Sequence, residues 1–290
     1  EGSTSITYKF TDIRTKTPMC KKVILCKSEQ LAFKNAQNAL KEFEIMHKIN
    51  HPCICKAIGI NISEKIKNTN EKNEEEEEEE KTTIALFLEY VDFKLSDILK
   101  KKINETLKTR IVLDIVHAMN FLHKNGMMHR NLKIDNIMIN AFYETKLVDF
   151  GLAKITELAI DGFSFTDDSL TKGIGSFAYM SPEMAKDEKY NNKTDVYSFG
   201  VILHFIFTGN VPKQSLREKI NGKKINLPEP SKSISNFCIK LIDQCMSYSP
   251  SKRPSFENIL DDIRMNKYML ASYIDQSVIY IRDHELELFE

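Results

Sequence analysis

The chain has 290 residues, 42% hydrophobic and 28% charged, enough to bury a sizeable core in one large domain or two lobes; a mini-domain or a wholly disordered chain is excluded. Its 41 basic and 41 acidic residues cancel, but seven of the acids form the unbroken run Glu74 to Glu80; without it the body carries a formal +7, suited to an anionic ligand and far from the dense basic clusters of a nucleic-acid binder. No apolar run reaches the roughly eighteen residues of a membrane span, and Glu1 to Thr4 lack a signal peptide's apolar core, so we expect no membrane span, no nucleic-acid partner and a cytoplasmic location.

In chain order, residues 5 to 27 alternate in short apolar runs broken by Thr15-Lys16-Thr17-Pro18 and predict two strands joined by a turn. Leu31, Ala32, Ala36, Leu40, Phe43, Met46 and Ile49 recur at helical spacing until His51-Pro52 stops them. A strand is expected around Ile54 to Ile60, with Cys53 and Cys55 on one face by period 2. These two and Cys20, Cys26, Cys238 and Cys245 contain no Cys-x-x-Cys pair, which favours free thiols over disulfides or zinc. From Asn68 to Lys81 the chain is Asn, Lys and Glu apart from Thr69, a stretch that repels itself and is expected to be a disordered insertion capping a hairpin with the strand Thr83 to Val91.

Beyond Asp92 the period is mostly helical. Leu107 to His123 predicts a helix ending near Gly126, and Ile137 to Ile139 and Lys146 to Val148 predict short strands. Asp195 to Thr208 is apolar nearly all round and must be buried in a helical lobe; Ser235 to Met246 and Ser255 to Ile263 are further helices. The fold class is α+β, a small strand-rich lobe with one helix (about 1–90) and a larger helical lobe (about 92–265). In residues 266–290, Met269, Leu270, Tyr273, Ile274, Val278, Ile281 and Leu286 would line one face of a helical extension packed on the larger lobe.

The run His129-Arg130-Asn131-Leu132-Lys133-Ile134-Asp135-Asn136, followed thirteen residues after Asn136 by Asp149-Phe150-Gly151, resembles the catalytic and metal-binding loops of the eukaryotic protein kinases. The resemblance covers about residues 2 to 265 and implies a bilobal kinase fold, with ATP and Mg²⁺ as cofactors. Asp149 and Asn136 would be the metal ligands, a hard carboxylate and an amide oxygen suited to Mg²⁺. Gly2 would be a glycine of the phosphate-covering hairpin, with Ser5 in place of its last glycine and Thr7 in place of its valine. Lys22 aligns with the ATP lysine and Glu42 with its partner; Lys27, fifteen residues before Glu42, is the rival. Cys20, Leu88 and Met138 are carried over as cofactor-binding positions, and Glu89 and Val91 as the backbone groups that hydrogen-bond adenine.

Lys133 is the serine/threonine form of the loop, and the surroundings of Tyr179 and Tyr197 resemble the tyrosine-kinase-like branch. Gly175 to Glu183, including Ser176, looks like the end of an activation segment with Ser181 in place of the usual Ala. Glu183 would pair with Arg253, Asp195 would anchor the loop at His129, and Phe150 and Gly151 complete the metal-binding motif. A phosphate on Thr171 or Ser169, with Ser164 and Thr166 behind them, would dock on Arg130.

One position departs at the centre: Asn131 stands where the family has the Asp that accepts the substrate hydroxyl's proton. An amide has no basic lone pair, and a positioned base is worth roughly 10²- to 10⁴-fold. Three readings stay open: a pseudokinase that binds ATP-Mg and serves as a scaffold or allosteric regulator of a protein partner; an active serine/threonine kinase acting on a protein substrate, its Asp replaced; or an interaction module without nucleotide.

Overall fold

A computed structural model describes residues 4–25, 29–63, 83–151, 153–155, 176–272 and 274–287. Gly2, Cys26, Lys27, the stretch 68–81, Ser164, Thr166, Ser169, Thr171, Gly175 and Tyr273 lie outside the described residues. The chain divides into two compact units, residues Glu1–Asn50 with Cys55–Val91, and His51–Ile54 with Asp92–Glu290.

In the first unit, Asp12 turns the chain: its Oδ1 accepts the N–H groups of Arg14 (2.7 Å) and Thr15 (3.2 Å), and Lys16 takes φ 57°. The turn joins β1 (Thr4–Thr11) to β2 (Pro18–Leu25). After α1 (Glu29–Lys48) come β3 (Ala57–Ser63) and β4 (Thr83–Glu89), giving an antiparallel sheet of order β1-β2-β4-β3. In β4 the four residues from Thr83 to Leu86 are all buried, as suits an inner strand. The helix α1 packs on β3 and β4. Its buried stripe is Ala39, Glu42, Ile45 and Met46, whereas Leu40, expected inward from its spacing, is 42% exposed. A carboxylate has displaced an apolar residue from the inner face, for a reason found in the site.

The strand expected at Ile54 starts only at Ala57. Ile54 instead makes a single parallel bridge to Leu147 within the second unit, with the Leu147 N–H on the Cys53 C=O at 2.8 Å. Cys53 and Cys55 therefore do not alternate on a strand; both they and Ile54 between them are buried. Cys20, Cys53, Cys55, Cys238 and Cys245 are free thiols, as their spacing suggested.

The second unit opens with β5 (Phe93–Lys94), α2 (Leu95–Lys100) and α3 (Glu105–Lys124), the last capped by Asn104 on the Leu107 N–H (2.8 Å). Residues 111–120 of α3 are buried without interruption. The chain leaves α3 through Gly126 at φ 68°, a left-handed conformation that glycine adopts without strain. Strands β6 (Met127–Met128), β7 (Ile137–Ile139), β8 (Thr145–Leu147) and β9 (Lys154–Ile155) follow. β7 pairs with β5 and β8, and β6 with β9, all antiparallel. These pairings bring out the 129–136 loop, between β6 and β7, beside the 148–151 loop, between β8 and β9.

The helical remainder is α4 (Pro182–Ala185), α5 (Lys193–Thr208), α6 (Leu216–Ile220), α7 (Asn236–Cys245), α8 (Phe256–Met265) and α9 (Gln276–Glu287). As its composition demands, α5 is buried on nearly every side. At Gly200 it touches the end of α7 so closely that a Cβ would stand 2.7 Å from Met246 Cγ and 2.9 Å from Cys245 Cβ. Ser235 and Ser255 cap α7 and α8. The extension packs on α3, but of the face expected within α9 only Leu286 is buried: Val278 (42%) and Ile281 (60%) are exposed, and Ile279, Arg282 and Asp283 are buried instead. Leu270 and Ile274 are buried but precede α9, so they share no helix face with it. No helix among the described residues is long and apolar enough to cross a membrane.

Candidate functional site

The first unit holds an ion pair. Lys22 Nζ lies 3.0 Å from Glu42 Oε1 and 3.2 Å from Oε2, with the carboxylate 4% exposed on α1 and the lysine on β2. This is why Glu42 occupies the inner stripe of α1. Glu44, on the other side of the helix, is exposed. Ser5 and Thr7 lie exposed on β1, Thr7 opposite Lys22 in register. Cys20 is half-buried on β2 opposite Leu88 of β4, and burial pushes its thiol up, so it presents a neutral side chain. Leu88 and Val91 are buried. The Glu89 N–H donates to the Lys56 C=O (2.9 Å), and the Glu89 carbonyl accepts the Cys55 thiol at 3.7 Å. Of the Glu89 backbone pair, the carbonyl is the group that can also accept from a ligand, since it carries two lone pairs.

The second unit holds the loops, and Asp195 organises them. Its Oδ2 accepts the His129 N–H (2.9 Å) and His123 Nε2 (2.9 Å), and its Oδ1 accepts the Arg130 N–H (2.8 Å). Burial alone would raise its pKa, but these bonds and the neighbouring histidines outweigh burial and hold it below the ordinary carboxylate value. Burial pushes His129 the other way, below its usual value, so it stays neutral and accepts the Asn131 N–H at Nδ1 (3.3 Å). Its ring packs on the buried Phe150, centroids 4.8 Å apart.

Asn131 is held at both ends. Its side-chain Nδ2 donates to Asp149 Oδ2 at 3.0 Å, and its backbone carbonyl accepts Asn136 Nδ2 at 2.8 Å. Arg130 and Asp149 both take left-handed backbone conformations, φ 63° and 65°, which cost a non-glycine residue of order 1–3 kcal/mol each and cluster at functional sites. Lys133 and Met138 are half-buried, Asn136 is buried and Gly151 is exposed. Asp149 and Asn136 supply hard oxygens and fit Mg²⁺, which takes few protein ligands and keeps water and phosphate oxygens. Among the described residues no three His, Cys, Asp or Glu side chains gather as a separate metal site.

Farther along, Ser176 opens a short turn at residues 176–178. Glu183 and Arg253 form a bidentate pair at 2.6 and 2.8 Å. Arg253 gives its other N–H groups to the carbonyls of Ser247, Lys193 and Tyr248, so all five donors are used. Ser181 is fully buried with its hydroxyl 2.8 Å from that of Thr194, which accommodates its replacement of an apolar residue.

One residue went unread in the sequence. Lys219 on α6 is 3% exposed and gives its ammonium protons to the carbonyls of Phe177 (2.8 Å), Ala178 (3.0 Å) and Met180 (2.7 Å), with the Tyr197 ring 5.1 Å away. Burial pushes its pKa down to about 8. Nothing in Arg217-Glu218-Lys219-Ile220 distinguishes it from a surface lysine.

Comparison with known proteins agrees with this geometry. Residues 1–263 match the family described as "Protein kinase domain". "Dual specificity protein kinase pyk3" of Dictyostelium discoideum is 29% identical over 251 residues, 84% of this chain and 16% of that protein. "Serine/threonine/tyrosine-protein kinase HT1" of Arabidopsis thaliana is 35% identical over 157 residues, 52% of this chain and 38% of its own length. "Mitogen-activated protein kinase kinase kinase dlk-1" of Caenorhabditis briggsae is 29% identical over 232 residues, 77% of this chain and 24% of that protein. The chain thus spans well under half of each of these relatives.

Proposed function

The chain belongs to the protein kinase family, and from that premise we propose that it holds ATP with Mg²⁺ but transfers phosphate poorly, working as a pseudokinase scaffold or allosteric regulator of a signalling protein. Lys22, held by Glu42, binds phosphate oxygens; Asp149 and Asn136 hold the metal; Lys133 offsets charge on the group that would be transferred. Mg²⁺ supplies neutralisation of the phosphate charge when bound. The serine/threonine character rests on Lys133 and on relatives whose names include serine/threonine kinases. Placement in the tyrosine-kinase-like branch rests on the surroundings of Tyr179 and Tyr197.

The observation that carries this reading is the side chain of Asn131. It has no basic lone pair for a hydroxyl proton, and its N–H faces Asp149. Loss of a positioned base costs roughly 10²- to 10⁴-fold, about 3 to 5 kcal/mol of barrier. The groups that support nucleotide binding are nevertheless present: the Lys22–Glu42 pair is formed and the loop anchor at Asp195 is complete.

Asn131→Asp should raise transfer of radiolabelled γ-phosphate to a serine/threonine substrate by roughly 10²-fold or more. A rise of less than tenfold would show that Asn131 is not the limiting defect. An Asp codon at this position in the natural gene would replace the reading with an active serine/threonine kinase. Absence of any thermal stabilisation by Mg-ATP would replace it with an interaction module lacking nucleotide.

A further inference from the structure

Of the twelve residues 213–224, which carry α6, five are basic and one is acidic. In sequence they read as solvated lysines, but the fold sorts them. Lys219 turns inward and is spent on the carbonyls of Phe177, Ala178 and Met180. Lys223 is spent on Glu218, Nζ to Oε1 at 2.5 Å, and the other oxygen of that carboxylate takes the N–H (3.0 Å) and hydroxyl (2.9 Å) of Ser215 at the helix cap. The one acid of the stretch is thereby used up. Lys213, Arg217 and Lys224 stand exposed with no acidic partner among the described residues.

The three cations are carried on a rigid piece of backbone. The Gln214 side-chain amide donates to the Lys223 carbonyl, which brings the chain at Lys213 beside the chain at Lys224. From α5 the Tyr197 hydroxyl reaches Gln214 Oε1 (3.4 Å), and the Tyr248 hydroxyl donates to the Ile220 carbonyl (3.1 Å). Gly222 turns at φ 70° so close to the Tyr248 ring that a Cβ would stand 3.2 Å from it. Next to Arg217, Leu216 is 39% exposed and gives the face an apolar spot. Like charges fixed on one element repel, and an anion relieves the repulsion; because the backbone is already ordered, little is lost in ordering it on binding.

Resting on the reading of this chain as a scaffold for a signalling protein, and naming what such a partner presents, we infer that the α6 face formed by Lys213, Leu216, Arg217 and Lys224 docks an acidic segment of a protein partner, with an apolar residue among its acids. Charge complementarity selects the acids, and Leu216 selects the apolar residue. Three cations around a leucine do not suit a nucleic acid, whose binding rests on many phosphate contacts and makes no use of an apolar centre. Docking is also felt inside the molecule. Lys219, two residues from Arg217, holds the backbone of Phe177 to Met180, so a partner that steadies α6 steadies that segment as well.

The test uses the whole chain and a fluorescein-labelled Glu-Glu-Leu-Glu-Glu peptide, with binding read by fluorescence anisotropy. The wild type should bind in about 10 mM salt and weaken as salt rises toward 1 M. Combined Lys213→Glu, Arg217→Glu and Lys224→Glu should lower affinity at least tenfold. Combined Lys240→Glu, Lys252→Glu and Lys267→Glu, an equal charge change at other exposed lysines, should lower it less than threefold. Leu216→Ser should weaken binding at least threefold, and peptide should slow amide exchange in residues 176–181 of the wild type. No binding by the wild type in 10 mM salt overturns the inference, and so do equal losses in the two triple variants, which would reduce the effect to net charge. Tighter binding of a single-stranded RNA oligomer than of the peptide, unchanged by Leu216→Ser, assigns the face to polyanions at large and overturns it. Self-association of the wild type that the α6 triple variant abolishes assigns the face to a second copy and overturns it too. Thermal stabilisation by Mg-ATP, measured alongside, keeps the two readings apart: its absence in the wild type defeats nucleotide binding and leaves docking standing, whereas the outcomes above defeat docking alone.

Discussion

Lys219 shows how much one side chain can carry without a motif to announce it. Its ammonium is buried, and lowering its pKa from 10.5 to about 8 corresponds to roughly 3 kcal/mol of desolvation cost. Against this stand three hydrogen bonds from a charged donor, each worth about 1.5–3 kcal/mol. Together the bonds come to about 4.5–9 kcal/mol and exceed the desolvation cost, so the lysine stabilises the fold as well as fixing the backbone from Phe177 to Met180. Lys219→Met keeps the length and removes the charge, leaving three carbonyls without this donor. We expect the melting temperature to fall by at least about 3 °C, while amide exchange in residues 176–181 rises at least tenfold by mass spectrometry. A large drop in melting temperature with unchanged local exchange would show that Lys219 stabilises the fold as a whole. Asn131 teaches the same lesson in a motif that could be read: its identity pointed to a missing base, but its bond to Asp149 could be seen only once the loops were folded.

At the scale of elements, α9 completes a core that the family match at residues 1–263 leaves unfinished. The helix α3 buries Asp114 and His117 completely, and buried polar groups need partners. α9 brings them. Arg282 Nε donates to Asp114 Oδ1 (2.8 Å), and Asp114 Oδ2 in turn accepts the Thr145 N–H (3.0 Å), so α9, α3 and β8 are linked through one carboxylate. Asp283 accepts His117 Nε2 (2.7 Å), Arg264 Nε (2.7 Å) and the Tyr268 hydroxyl (2.7 Å). Burial opposes ionisation of Asp283, but the bonds from His117, Arg264 and Tyr268 prevail and hold its carboxyl well below the ordinary range. Because the folded pKa lies below the unfolded value of about 3.9, the stabilisation is complete above that pH and is lost as pH falls beneath it. Asp283→Ala should cost about 3–5 kcal/mol at pH 7, since it strands buried partners. In urea titrations from pH 6 to pH 2.5, Asp283→Asn should lose less stability on acidification than the wild type. Parallel acid limbs would show that another carboxylate controls the acid response.

Over the whole molecule, legibility followed how tightly chemistry constrains each residue. The loops at His129 and Asp149 were recognisable as those of the protein kinase family, in which few residue types occur at few spacings, and the α+β plan followed from periods of 2 and 3.6. What escaped were polar residues buried through partners distant in sequence. Arg282 and Asp283 look like a solvent face until α3 supplies their partners, Leu40 looks like core until Glu42 takes the inner position beside Lys22, and Ser181 looks like drift until Thr194 meets it. Ile54 was read as part of a strand that its bridge to Leu147 excludes. Net charge, by contrast, is a property of the entire chain and is fully given by composition. The 41 basic and 41 acidic residues balance only because Glu74 to Glu80 are included. Replacing these seven by Gln leaves a formal +7, and long-range attraction to polyanions should then appear where salt does not screen it. At low ionic strength the Debye length is about 30 Å at 0.01 M, against about 3 Å at 1 M. The variant should therefore be retained on a heparin column in 10 mM salt, where the wild type passes through, and should elute well before 1 M. Equal retention of the two proteins would mean that the seven glutamates do not set the field that a large anion meets.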